Sequence, residues 1–118
     1  SGGPLVQHAL PALLTAVKKG KISIEKLVQK ACHNPAILFQ IEKRGYLKEG
    51  YFADMVLVDM EGKTPVSRDN ILYKCGWSPF EGTTFDAKIE QTWVNGKSVY
   101  QSGKIMENKA AMRLTFNR

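Results

Sequence analysis

Long apolar runs are missing from this sequence. The longest cover only residues 36–39 and 55–58, whereas a membrane-crossing helix needs roughly 20 apolar residues in a row. A membrane partner is therefore left out of the reading. Cysteine is scarce: Cys32 and Cys75 form no C-x-x-C pair, which excludes a disulfide scaffold and a zinc ribbon. Both are expected to be buried free thiols. With no Asn-x-Ser/Thr acceptor in the chain, the compartment is read as cytoplasmic. Histidine is scarcer still for metal chemistry. A catalytic zinc takes about three protein ligands, and only His8 and His33 are present, with no H-x-H and no H-E-x-x-H. No metal ligands are assigned in this chain. The stretch Gly76-Trp77-Ser78-Pro79-Phe80 fails the G-x-S-x-G elbow because Phe80 replaces the second glycine. Neither a P-loop nor G-x-G-x-x-G occurs. The N-terminus Ser1-Gly2-Gly3-Pro4 has no start Met, no basic n-region and no apolar h-region. It is not a signal peptide, and it reads as the beginning of a fragment. No catalytic residue is assigned.

What is present is an ordinary folded composition: 43% hydrophobic and 24% charged residues, 10 Gly and 5 Pro in 118. That fits one domain or a piece of one. Seventeen Lys+Arg against eleven Asp+Glu give a net charge of +6. The basic residues are spread out, and the densest groups, Lys18-Lys19-Lys21 and Lys43-Arg44, are not interleaved with aromatics. They read as solvated helix ends and loops, not as a nucleic-acid surface.

The pattern is helical up to residue 44 and strand-like after it. A first helix is predicted over residues 6–19, where Leu10, Leu13, Leu14 and Val17 recur at helical spacing. Pro11 sits in its first turn, Lys18 and Lys19 favour the negative end of its dipole, and Gly20 stops it. Ser23 is a good N-cap for a second helix, with Glu25 in the first turn and Ile24, Leu27, Val28 and Ala31 on one stripe. Asn34-Pro35 is expected to restart a short helix, Asn as N-cap and Pro at N1. Such full apolar stripes expect something large to pack against. His33 reads as a helix-terminal residue. His8, beside a Gly-rich loop, stays open between a structural and a functional role. Ser1-Gly2-Gly3-Pro4 before a helix could cradle an anion with backbone N–H groups, as many Gly-Pro loops could.

From Gly45 the grammar changes. Residues 46–49 are a short strand candidate. Residues 55–59, apolar on both faces, are predicted to lie centrally in a sheet, whereas Pro65 confines its own segment to an edge. Residues 67–72 are ambiguous, and 77–84 form an ordered loop. Residues 88–94 and 97–101 flank Asn95-Gly96, the strongest short hairpin signal and a type I′ turn. Trp93 or Val94 is expected to face Val99 or Tyr100 across it. The tail from Asn108 is expected to fray or to pack on a partner.

Three motifs then occur in order. Gly45-Tyr-Leu-Lys-Glu-Gly50-Tyr-Phe-Ala53-Asp54-Met-Val-Leu-Val-Asp59 resembles the G-x-[IL]-x-x-G-x-x-A-D-hhhh-D signature near the end of amidohydrolase-superfamily enzymes. Val94-Asn95-Gly96-Lys97-Ser98-Val99-Tyr100 resembles their V-N-G-K-x-V-[YW] hairpin, and Asn34-Pro35-Ala36 their N-P-A element. Within the superfamily the chain is most similar to dihydroorotases. Gly2-Gly3-Pro4 and the helix after it resemble the segment following their last barrel strand. Trp77-Ser78-Pro79-Phe80-Glu81-Gly82 resembles their [NS]-x-P-F-x-G stretch. The chain departs from the commoner G-x-x-G-x-E loop in having Gln7 where Glu is usual.

The resemblance implies an α+β fragment. Residues 1–44 would be C-terminal helices of a (β/α)₈ metal-dependent hydrolase barrel, 45–104 part of a small composite β-sandwich, and 105–118 a tail. A strand edge near residues 55–58 would be open, because the sandwich also uses strands from elsewhere in the parent. It implies a zinc enzyme hydrolysing dihydroorotate to N-carbamoyl-aspartate in pyrimidine biosynthesis, with the zinc ligands outside this chain and the chain inactive alone. Ser1, Gly2 and Gly3 would contact the substrate through backbone groups. The remaining partner would be the rest of the barrel, with a homodimer left open. The alternatives are another cyclic amidase, a hydantoinase or allantoinase, and a metal-free homologue that scaffolds a partner such as aspartate carbamoyltransferase. An H-x-H upstream separates enzyme from scaffold.

Overall fold

A computed structural model describes residues 2–118. The expectation for Ser1 lies outside the described residues. The chain is α+β and divides into two units, each built from two stretches: Ser1–Ile22 with Asp59–Lys88, and Ser23–Val58 with Ile89–Arg118.

In the first unit a 3₁₀ turn, Val6–His8, leads into helix α1, Ala9–Lys18. Pro11 occupies the first turn and is buried with Leu14. The helix ends where Gly20, at φ +73°, donates to the Val17 carbonyl (3.0 Å), a conformation that suits a residue without Cβ. Strands β2, Thr64–Pro65, and β3, Thr84–Phe85, pair antiparallel. A two-stranded ribbon gives Pro65 the edge position its missing N–H requires. Between them a 3₁₀ turn, Arg68–Asn70, is closed by a reciprocal capping box between Ser67 and Asn70. Leu14, Val66, Phe85 and Ala87 form the core of this unit.

The link from β3 to the helix is polar. Thr15 Oγ1 donates to the Pro11 carbonyl and accepts the Asp86 N–H, both at 2.9 Å. Lys18 Nζ donates to the carbonyls of Met60 (2.6 Å) and Asp86 (2.9 Å). Lys18 is thus occupied in tying loops together, beyond the helix-dipole role read from its position.

In the second unit, residues 24–38 run helically without a break. Ser23 caps helix α2, Ile24–Val28, by accepting the Lys26 N–H at 3.1 Å. Helix α3, Asn34–Leu38, is not a restart, however. A π turn, Gln29–His33, joins it to α2, and the Asn34 N–H reaches back five residues to the Gln29 carbonyl. The reason lies in Pro35. Within an α-helix its ring would clash with the carbonyl four residues earlier, and the wider π turn absorbs that misfit without breaking the rod. Leu27 and Ala36 are buried, whereas Ile24, Val28, Ile37, Leu38 and Phe39 are exposed.

Residues 46–49 form no strand. Tyr46 lies flat on the His33 ring instead, 4.1 Å between centroids and 6° between planes, with Tyr51 edge-on to it. Gly45 and Gly50, at φ +88° and +82°, bend the chain at either side. A four-stranded sheet comes next, in the order β1-β4-β5-β6: Met55–Asp59, Lys88–Val94, Lys97–Gln101 and Lys104–Ile105. Strand β1 is at the edge, not the centre. Its apolar residues are not enclosed, since Met55, Val56 and Leu57 are exposed. The open edge expected near residues 55–58 is present.

The β4–β5 hairpin turns at Asn95 and Gly96, at φ +50° and +80°. The expected cross-strand neighbours are shifted by a bulge between Thr92 and Trp93. Trp93 faces Ser98 and Thr92 faces Tyr100, because an extra residue in one strand displaces the register beyond it. The C-terminal stretch is not frayed. Phe116 bridges Ile41, Glu42 N–H donates to Thr115 O (3.0 Å), Asn117 N–H to Gln40 O (2.8 Å), and Asn95 Nδ2 to Ala110 O (2.5 Å). Ala110 is buried, so the tail covers its own unit.

Candidate functional site

The loop before α1 carries the expected site residues. Gly2 and Gly3 are exposed. A Cβ on Gly2 would meet nothing within 4 Å, and one on Gly3 only the Leu5 side chain. The loop tightens after them, with Leu5 N–H on Gly3 O (2.9 Å) and His8 N–H on Leu5 O (3.1 Å). Its far side is held from a stretch more than 60 residues away. Gln7 Nε2 donates to Asn70 O (2.9 Å), and Gln7 Oε1 accepts the Leu72 N–H (2.9 Å). Tyr73 Oη donates to Pro4 O (3.2 Å). In the sequence Gln7 stands out only as a departure from a pattern. Its partners are too distant along the chain for any local periodicity to show them.

His8, which the sequence left open, is 2% exposed, and its Nδ1 has no partner among the described residues. Its neighbours are the rings of Phe80 (6.4 Å) and Phe85 (6.3 Å), which pack edge-to-face on each other at 5.1 Å. Burial holds its pKa below the usual 6.5, since an imidazolium there would lose its hydration. His8 is a neutral core histidine. Ser78 is buried too. Its hydroxyl accepts the Phe80 N–H (3.1 Å), and its carbonyl accepts the Glu81 N–H (3.2 Å). This shapes the 77–82 turn, and Phe80 is delivered to the core. Gly82 N–H then bonds Val66 O (2.9 Å), anchoring the turn to the segment after β2.

Metal-ligating chemistry is not assembled. Among the described residues no group of three or more His, Cys, Asp and Glu side chains could hold a metal ion. His33, in the other unit, is stacked on Tyr46. The expectation for the cysteines was wrong: Cys32 and Cys75 are both exposed. Cys32 lies in the π turn, on a helix whose buried side is already filled by Leu27 and Ala36. Cys75 lies in the irregular stretch leading to the exposed Trp77.

The amidohydrolase family pattern matches residues 5–99, most of the chain. The chain belongs to the amidohydrolase family. Among its relatives is a dihydroorotase of Pyrococcus furiosus, 34% identical over 114 residues that cover 97% of this chain and 27% of that protein. A dihydroorotase of Halobacterium salinarum is 40% identical over 82 residues, 70% of this chain and 19% of the relative. Among solved structures, the L-hydantoinase (dihydropyrimidinase) of Arthrobacter aurescens matches with a TM-score of 0.82 at 32% identity, over 91% of this chain and 24% of that one. The chain thus spans about a quarter or less of the length of these amidohydrolases. No helix among the described residues is long and apolar enough to cross a membrane.

Proposed function

We propose that this chain is the C-terminal, substrate-side part of a dihydroorotase. The parent enzyme opens the ring of dihydroorotate with water to give N-carbamoyl-aspartate, in cytoplasmic pyrimidine biosynthesis. The observation that carries this reading is the dihydroorotase similarity across 97% of the chain. Residues 1–44 then belong to the helices of a (β/α)₈ barrel and residues 45–104 to a composite sandwich. The exposed apolar residues of the 24–38 helix and the open edge of β1 support a chain that continues its packing with other parts of the parent.

The role left to this chain is binding. Ser1, Gly2 and Gly3 present backbone groups to the ring, and the absence of Cβ lets Gly2 and Gly3 approach it closely. The donor set here does not fit the zinc that the family implies. The two histidines belong to different units, one is enclosed by phenylalanine rings, and no three-ligand cluster exists among the described residues. The zinc and the proton-transfer residue are assigned to the parent beyond this chain.

A second reading, a hydantoinase-type cyclic amidase, is favoured by the structural likeness to L-hydantoinase. One experiment separates them. The full-length protein is assayed against dihydroorotate, N-carbamoyl-aspartate and hydantoin, with its zinc measured by mass spectrometry. Bound zinc with turnover of dihydroorotate in preference to hydantoin is the expected result. Preference for hydantoin moves the assignment to the second reading. Absence of both zinc and turnover leaves an inactive scaffold and overturns both. The 118-residue chain alone is expected to bind no stoichiometric zinc and to turn over neither substrate.

A further inference from the structure

We infer that Gln7 and Tyr73 are positioning residues that fix the Gly2-Gly3-Pro4 loop for substrate. This inference rests on the loop facing the substrate, as proposed above. Exposed glycines are costly to order, because they lose more backbone freedom than any other residue. A Cβ built on Gly2 would meet nothing within 4 Å and one on Gly3 only the Leu5 side chain, so side-chain packing does not wedge these two positions in place. What restrains the loop is the chain immediately after. Pro4 has a fixed φ, and its carbonyl accepts from Tyr73 Oη at 3.2 Å. Three residues on, both ends of the Gln7 amide are engaged, one with Asn70 O and the other with the Leu72 N–H, each at 2.9 Å. Those two backbone groups flank Ile71, and the amide spans them as a short strand would.

The strut behind these bonds is itself fixed. Asn70 Nδ2 donates to Pro65 O (2.6 Å), and its Oδ1 accepts the Ser67 N–H (3.1 Å). Pro65 lies in β2, paired with Thr84 of β3. A continuous line of hydrogen bonds therefore runs from the ribbon through Asn70 and Gln7 to the loop. The same geometry explains why an amide stands at position 7. Gln7 faces one carbonyl and one N–H, so it must donate and accept at once. A carboxylate at this position only accepts and would point an oxygen at Asn70 O. A protonated carboxyl does both again.

The pH response of a carboxyl at position 7 is something that loss of packing alone would not reproduce. The full-length protein is compared with its Gln7→Ala, Gln7→Glu and Tyr73→Phe variants. Kinetics with dihydroorotate are read together with hydrogen exchange at the Leu72 amide. Pre-ordering a binding loop helps ground state and transition state alike. The expected result is therefore a KM raised about tenfold by Gln7→Ala and about threefold by Tyr73→Phe, with kcat held within about twofold. Faster Leu72 exchange should accompany Gln7→Ala. For Gln7→Glu the KM excess over wild type should shrink as pH is lowered from about 8 to about 5, because the facing Asn70 carbonyl oxygen disfavours the carboxylate and raises the new carboxyl above the ordinary glutamate range, so that it protonates and regains its donor. If Gln7→Ala does not fold, the near-isosteric Gln7→Glu and Tyr73→Phe variants carry the test. An active wild type whose KM is unchanged in these variants, or a Gln7→Glu defect that does not respond to pH, overturns the inference. A wild type inactive on every cyclic amide instead removes the functional reading beneath it.

Discussion

His8 shows what burial does to a single titratable group. The folded state holds it neutral below its usual pKa of 6.5, so the unfolded chain binds a proton first as pH falls. Stability should be unaffected by His8 above about pH 7 and should decline as pH drops through about 6.5 toward the lowered folded value. His8→Leu should flatten that part of the stability–pH curve in urea titrations between about pH 7 and 5, with the wild-type curve measured alongside it. Asp86 shifts for the opposite reason. Its carboxyl is held below 3.8, first by the hydrogen bond from Lys63 Nζ (2.7 Å) and then by the charge of that lysine, with smaller help from Lys18 and Lys19. The carboxylate's contribution is thus present above 3.8 and is lost as pH falls through the folded value. Lys63→Met should move the Asp86 titration, followed by NMR, back up toward 3.8. Thr15 matters through its neighbours. Thr15→Val should lower stability by about 1–2 kcal/mol, because the Asp86 N–H loses its acceptor. Chemical denaturation reads this directly.

At the scale of elements, two glycines with positive φ make different local demands. Gly45 sits against the helical rod at φ +88°, and an added Cβ would lie 2.6 Å from Ala36 Cβ and 2.8 Å from the Cys32 carbonyl oxygen. The neighbours are a helix side chain and backbone, which cannot move aside easily. Gly45→Ala is expected to cost about 2–4 kcal/mol, strain and overpacking together. Gly20→Ala, at φ +73° with nothing within 4 Å, should cost about 1 kcal/mol from strain alone. Urea midpoints of the two variants should differ accordingly, and equal midpoints would show that the contact with Ala36 is not enforced. At the hairpin, Gly96→Val should destabilise by on the order of 1 kcal/mol or more, since φ +80° is closed to a β-branched residue. A variant melting no lower than wild type would contradict the turn.

For the whole molecule the decisive feature is how the chain is divided. Each unit joins a stretch that begins in the helical half to a second stretch from the strand-rich half. Cutting the chain between the halves should therefore damage both. Residues 45–118 alone lack Thr15 and Lys18, which hold Asp86, and the helix against which Gly45 and Tyr46 pack. That fragment is expected to lose cooperative urea unfolding and near-UV dichroism, whereas the 118-residue chain keeps them. The uncovered strand β1 predicts a further property. A sheet edge with exposed apolar residues templates association, so the isolated chain should sediment with concentration-dependent mass. Leu57→Lys should reduce that dependence.

The sequence by itself determined the features whose cause is local. Ser23 capping a helix, Gly20 ending one, and Asn95-Gly96 turning a hairpin each depend on one or two residues and their own backbone. All three stand in the structure as read. The three ordered motifs likewise placed the chain in its family, because they record spacing along the chain. Tertiary structure decided what depends on distant neighbours. Residues 46–49 read as a strand, yet they form none, and the Tyr46 ring lies stacked on His33 instead. Strand β1 reads as central from its apolar run, yet its place is set by which strands adjoin it. Pro35 reads as a helix start, yet a π turn carries the helix through it. Gln7 reads as a departure from a motif until Asn70 and Leu72, 63 and 65 residues away, are brought to its amide. Hydrogen-bond complementarity of that kind is a property of two surfaces in contact, and no periodicity within one segment encodes the other.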